Sequence, residues 1–126
     1  MTERHKLLVV DDDEAMIDYL HAKLADRYDI VSTNAPENVL GLARSERPGL
    51  ILCDINMPGM DGGDVSKALH AHPEVRTIPV LFLTALISPS ELKQTGQQIG
   101  GRPAISKQAP LEELAKRIQQ LIDRKA

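Results

Sequence analysis

Residues Leu50 to Gly63 read LILCDINMPGMDGG, an apolar run that ends in one aspartate, Asp54, and passes at once into proline and glycine. The run is too short for a helix with its own core face. Bounded by turn residues, it reads as a strand buried on both sides. Three other segments have the same form: KLLVVD at 6–11, IPVLFLTA at 78–85 and the weaker YDIVST at 28–33. Helix-length segments with spaced apolar residues lie between them. Ala15, Tyr19, Ala22 and Leu24 follow the first run in the chain, Val39, Leu42 and Ala43 the second, and Val65, Ala68 and Leu69 the third. RPAIS at 102–106 is a candidate fifth strand. In PLEELAKRIQQLIDRKA, which begins at Pro110, the apolar stripe Leu111, Leu114, Ile118, Leu121 and Ile122 has helical spacing. Pro110 suits the first helical position, Glu112 and Glu113 the positive end, and Arg124 and Lys125 the negative end.

Strand and helix alternate through five βα units, which predicts an α/β fold: a five-stranded, doubly wound parallel sheet with helices on both faces. In such folds a ligand site lies beyond the carboxyl ends of the strands. The residues there are Asp11, Asp12 and Asp13 after the first strand, Asp54 after the third, Thr84 after the fourth and Lys107 after the fifth. Carboxylates about 4 Å apart repel by roughly 4 kcal/mol per pair at an effective dielectric of about 20, so gathering them requires a cation. Mg²⁺ suits this set, because it takes a few carboxylate or carbonyl oxygens and bridges to phosphate. Lys107 adds a fixed positive charge.

Composition excludes several alternatives. The 126 residues fit one domain, 1–126, with a compact radius of gyration of about 14 Å. A net charge of −3 gives no basic footprint for direct nucleic-acid binding. Tyr19, Tyr28 and Phe82 are the only aromatics, too few for a base-stacking platform. Cys53 stands alone, so no internal disulfide forms. No apolar run approaches the ~18 residues of a membrane span, and no signal peptide is legible, so a cytoplasmic protein is expected.

In this order and spacing, LLVVDDD, LILCDINMPGMDG, LFLTA and ISK resemble the receiver domain of two-component response regulators over essentially the whole chain. The resemblance implies a flavodoxin-like sheet with strand order 2-1-3-4-5. It further implies that Asp54 is the nucleophile that accepts a phosphoryl group from a sensor histidine kinase or a phosphotransfer protein. Asp12 would ligate Mg²⁺ directly, Asp11 would act partly through water, and Asp54 and the backbone carbonyl of Asn56 would complete the set. Thr84 and Lys107 would contact the phosphoryl oxygens. The expected molecule is a signalling switch, not a conventional enzyme, that catalyses its own phosphorylation and loses the group slowly. Leu86 would shield the group from water.

The sequence departs from the family pattern near the fifth strand. Ala104 stands where an aromatic three residues before the lysine is usual, and Gln108 and Ala109 replace a proline, often in cis, and an aromatic. A cis bond before a non-proline residue costs ~2.5–4 kcal/mol, which predicts a trans Lys107–Gln108 bond and a reshaped loop. Gly101, Arg102 and Pro103 replace the acidic residues of a charged dimer face, so a monomer or weak dimer is expected. Output would run through Thr84 and the loop after the fourth strand, to an output domain or effector outside this chain.

Other readings compete with these. Asp13 suits a cap for the first helix, and Asp61 a turn with Gly62. His70 and His72, two apart, would point to different sides of a helix and cannot pair on a metal; His5 and His21 read as surface residues, and Met57 and Met60 as loop packing. The chain could also be a degenerate receiver that docks partners without phosphorylation, which Ala104, Gln108 and Ala109 favour and the intact acidic set opposes. DIN at 54–56 resembles the start of the haloacid dehalogenase phosphatase motif, but that family places its nucleophile on the first strand with an acid two residues later. Asn56 cannot donate a carboxyl proton.

Overall fold

The computed structural model describes residues 4–55, 57, 62–99 and 102–125. Asn56, Met60 and Asp61 lie outside them. The predicted strands form as β1 (Lys6–Val10), β2 (Asp29–Thr33), β3 (Leu50–Asp54), β4 (Val80–Thr84) and β6 (Arg102–Ser106), with a two-residue strand β5 (Gln98–Ile99) between the last two. The five predicted strands are parallel neighbours in the expected order, and β5 adds an antiparallel outer edge, giving β2-β1-β3-β4-β6-β5. The sequence reading missed β5. It covers the backbone groups of β6 that would otherwise form an open edge.

Alternation of side chains along the buried strands divides the core in two. Leu7, Val9, Leu50, Leu52, Leu81, Leu83 and Ile105 face helices α1 (Glu14–Leu24) and α5 (Leu111–Lys125). Leu8, Val10, Ile51, Cys53, Phe82 and Ala104 face α2 (Val39–Glu46), α3 (Gly62–His70) and α4 (Pro89–Gln94). Helix α5 buries Leu114, Ile118, Leu121 and Ile122, with Leu111 partly covered, as its stripe predicts. The Pro110 carbonyl accepts from Glu113 and Leu114 at the start of this helix.

Helix α1 corrects the spacing read from the sequence. Ala15, Tyr19 and Ala22 are exposed, whereas Ile17, Leu20 and Leu24 are buried. The three buried residues lie at i, i+3 and i+7 and carry more apolar area than the alanines, so they take the inward face. His21 is half-buried, with Nε2 3.1 Å from Ser32 Oγ. His70 Nδ1 donates to the Ser66 carbonyl at 3.2 Å, whereas His72 Nδ1 accepts from Arg44 at 2.7 Å. Their partners differ; His72 lies past the end of α3, so the helical spacing does not govern the pair.

Helix α2 ends at Arg47 in the left-handed region, with φ 48° and ψ 59°. A side chain there costs about 1–2 kcal/mol, and the greater unfolded-state freedom of glycine offsets part of that. Arg47 is exposed, and its amide, which any residue supplies, donates to Ala43. Arg47→Gly is expected to stabilise the fold by about 0.5–1 kcal/mol, seen as a higher urea midpoint with an unchanged slope. A lower midpoint would show that the guanidinium contributes more than the backbone strain costs.

Candidate functional site

Four strands, β1, β3, β4 and β6, deliver the predicted residues to one end of the sheet. β3 is buried along its whole length between β1 and β4, so its last residue emerges at the floor of the crevice. That residue is Asp54, 5% exposed. The Ile55 amide donates to the Leu83 carbonyl at 3.0 Å, which keeps the chain paired just past the aspartate. β1 delivers Asp11, wholly buried, and exposed Asp12. Asp13 caps α1 as expected: its carboxylate accepts from the Ala15 amide at 3.0 Å while its own backbone is extended.

The three aspartates Asp11, Asp12 and Asp54 offer carboxylate oxygens that all lie within 4.8 Å of one another. At that separation each charged pair repels by roughly 3–4 kcal/mol at an effective dielectric of about 20. Part of this is offset by Lys107, whose ammonium lies 2.8 Å from Asp11 Oδ2 and 3.5 Å from Asp54 Oδ2, with its side chain only 16% exposed. Partial burial disfavours the charged lysine. The hydrogen bond to Asp11 and the charges of Asp11 and Asp54 outweigh it, so the Lys107 pKa lies above the ordinary lysine value.

Asp11 is engaged on both sides, because Oδ1 accepts from the Asp13 amide at 2.9 Å. Asp12 is the exposed member of the trio. The set of hard, anionic oxygens with one exposed carboxylate fits Mg²⁺, which takes a few protein oxygens and retains water. Asp11, Asp12 and Asp54 would hold it; the Asn56 carbonyl falls outside the described residues.

Thr84 ends β4 beside this group and is buried. Its carbonyl accepts from the Lys107 amide at 2.7 Å, and its hydroxyl oxygen accepts from the Leu86 amide at 3.1 Å. The hydroxyl proton is left to donate elsewhere. Leu86 itself is 76% exposed. Ala104 pairs with Phe82 across β4 and β6, and both lie in the same core cluster, so no aromatic projects from position 104. All peptide bonds among the described residues are trans, Lys107–Gln108 included. One residue near the site escaped the sequence reading. Ser106, buried at the end of β6, accepts from the Gln108 amide at 3.1 Å. A serine two residues before a non-proline position is the signal that reveals it.

A family model described as the response regulator receiver domain matches residues 7–119. The response regulator PleD of Caulobacter vibrioides is 43% identical over 82 residues, which are 64% of this chain and 18% of PleD. The alkaline phosphatase synthesis transcriptional regulatory protein PhoP of Bacillus subtilis is 31% identical over 120 residues, 94% of this chain and 49% of PhoP. The chain therefore spans half or less of these two relatives. Among solved structures, a putative response regulator from Chloroflexus aurantiacus superimposes with a TM-score of 0.82 at 30% identity, covering 97% of this chain and 100% of that one. The Vibrio cholerae chemotaxis protein CheY4 gives 0.79 at 29%, covering 94% and 99%.

Proposed function

We propose, from the premise that the chain belongs to the response regulator receiver domain family of two-component systems, that it takes a phosphoryl group onto Asp54 in a Mg²⁺-dependent reaction. The donor is a sensor histidine kinase or a phosphotransfer protein. The observation that carries this reading is the Lys107 ammonium set between Asp11 and Asp54, at 2.8 and 3.5 Å.

In this reaction an Asp54 carboxylate oxygen attacks phosphorus, an acyl phosphate bond forms, and the phosphorus–nitrogen bond to the donor imidazole breaks, its electron pair leaving with nitrogen. Phosphoryl transfer asks a protein mainly for in-line positioning and charge neutralisation. β3 fixes the nucleophile on a rigid central strand. Lys107 faces the oxygens of the incoming group, and the Thr84 hydroxyl proton is available to donate to one of them. When bound, Mg²⁺ supplies the positive charge that lets an anionic phosphoryl group approach an anionic pocket. The chain acts as a switch that promotes its own phosphorylation and slow dephosphorylation, with an output domain or effector as its reader.

Incubation with acetyl phosphate, with and without Mg²⁺, followed by intact mass and tryptic mapping, tests the reading. One added phosphoryl group on the peptide containing Asp54, only with Mg²⁺, is expected. An unmodified chain under both conditions would overturn it and leave a docking module. With no aromatic at position 104, output would pass through Thr84 and the segment after β4. Beryllofluoride should therefore shift amide resonances within 85–106 as well as in the pocket; shifts confined to the pocket would refute this route.

Leu86 is bound to Thr84 through its amide and carries an exposed apolar side chain close to the site. Leu86→Ala is expected to speed loss of the phosphoryl group several-fold, because water gains access to the acyl phosphate. A half-life equal to that of the unaltered chain would remove Leu86 from this role.

A further inference from the structure

Lys107 reaches the acidic group from a turn, and the turn is built by a side chain that the phosphoryl chemistry does not use. The Ser106 carbonyl accepts from the Ala109 amide at 3.0 Å, which closes a four-residue β-turn with Lys107 and Gln108 at its centre. Neither central residue has positive φ, which leaves a type I geometry. Over the same turn the Ser106 hydroxyl accepts from the Gln108 amide at 3.1 Å. Ser106 is 3% exposed and paired with Thr84 in the sheet, so both bonds are anchored to the rigid end of β6. Lys107 therefore begins from a backbone fixed on three sides: by its own amide on Thr84, by the main-chain turn, and by the serine hydroxyl.

The hydroxyl bond depends on residue 108 having an N–H. Proline has none, and it is disfavoured at the third position of a type I turn because it forces the preceding residue out of the helical region. A glutamine at 108 and a buried serine at 106 thus form one device.

We propose that Ser106 is a positioning residue for Lys107: its buried hydroxyl, bonded to the Gln108 amide, holds the β6–α5 turn in the shape that brings the Lys107 ammonium to Asp11 and Asp54. The proposal rests on the reading of Lys107 as the cation that meets the phosphoryl oxygens. Ser106 touches none of the reacting atoms and acts through the lysine.

Three variants of the full chain separate the hydroxyl from the volume it occupies: Ser106→Ala, Ser106→Val and Ser106→Thr, the last two being close in shape. Three readouts apply to each: hydrogen exchange of the Gln108 amide, the ¹³Cε resonance of Lys107 without added Mg²⁺, and the rate of phosphorylation by acetyl phosphate. In the alanine and valine variants the Gln108 amide is expected to exchange at least about tenfold faster and the Lys107 signal to move towards that of a solvated lysine. The phosphorylation rate should fall about tenfold, since displacements near 1 Å in a positioned group cost up to about a hundredfold. Threonine should restore all three to within about twofold of the unaltered chain. The proposal is overturned if threonine behaves like valine, if Gln108 exchange does not change, or if the Lys107 signal stays put once the amide is freed. Should the unaltered chain take up no phosphoryl group, the functional reading fails. The Lys107 resonance still judges the role of Ser106.

Discussion

Asp54→Asn leaves the chain folded, takes up no phosphoryl group from acetyl phosphate, and is more heat-stable than the unaltered chain in a metal chelator. The first outcome follows from chemistry, since an amide oxygen is too weak a nucleophile to form the acyl phosphate. The second follows from electrostatics. In the metal-free chain one carboxylate oxygen of Asp54 lies within 4.8 Å of one oxygen each of Asp11 and Asp12, and Lys107 faces the cluster with Asp11 as its nearer partner. Neutralising position 54 removes one member of the repelling set and leaves the shorter ion pair in place. Two repelling pairs are removed, each worth roughly 3–4 kcal/mol; solvent around Asp12 and the lost attraction to Lys107 cancel most of this, so a gain of about 1 kcal/mol is expected. Differential scanning calorimetry in chelator measures it. Mg²⁺ should then stabilise the unaltered chain more than the variant, because a ligand that binds only the folded state stabilises it in proportion to its affinity. A variant destabilised in chelator would mean that Asp54 is held by attraction to Lys107 more than it is repelled by its neighbours.

The ends of the strands were legible in the sequence because a doubly wound sheet has few solutions. Once KLLVV, LILCD, VLFLT and RPAIS are read as parallel strands, Asp11, Asp54, Thr84 and Lys107 must share one edge. The face of α1 was not. Alanine and tyrosine at 15, 19 and 22 have helical spacing, but so do Ile17, Leu20 and Leu24, whose larger apolar area takes the face that packs in one core cluster with Leu7, Val9 and Tyr28; spacing by itself does not separate the two sets. Strand β5 was missed because two residues carry no periodicity. The Gly100-Gly101 pair between Ile99 and Arg102 is a hairpin signal that could have disclosed it. The turn from α4 into β5 uses left-handed backbone at Gly96 and at Gln97, φ 73° and 60°. Glutamine gives no warning of that conformation. Ser106 escaped for a related reason: its importance lies in a bond to the backbone of Gln108, for which a serine two residues before a non-proline position is only a weak signal.

Lys107→Ala combines the two themes, because it removes charge from the site and an anchor from the fold. Phosphorylation is expected to slow about 10²–10³-fold, the usual cost of deleting one preorganised donor to developing anionic charge. Stability should fall as well. Asp11 is wholly buried and holds the ammonium at 2.8 Å, and breaking a buried pair from one side costs about 3–5 kcal/mol; partial exposure of Lys107 places this case at about 2–3. The loss should be largest in chelator and partly recovered with Mg²⁺, which replaces a missing positive charge in the same cluster. The pH dependence has a defined sign. The Lys107 pKa is raised in the folded chain, so its contribution is complete below the unfolded lysine value of about 10.4 and is lost only as pH climbs through the folded value. The stability difference between Lys107→Ala and the unaltered chain, measured by urea unfolding in chelator, should therefore stay flat across neutral pH and narrow only above about pH 10. A difference that closes near neutrality would show that the ammonium does not remain charged between Asp11 and Asp54, and would remove the electrostatic basis of the site.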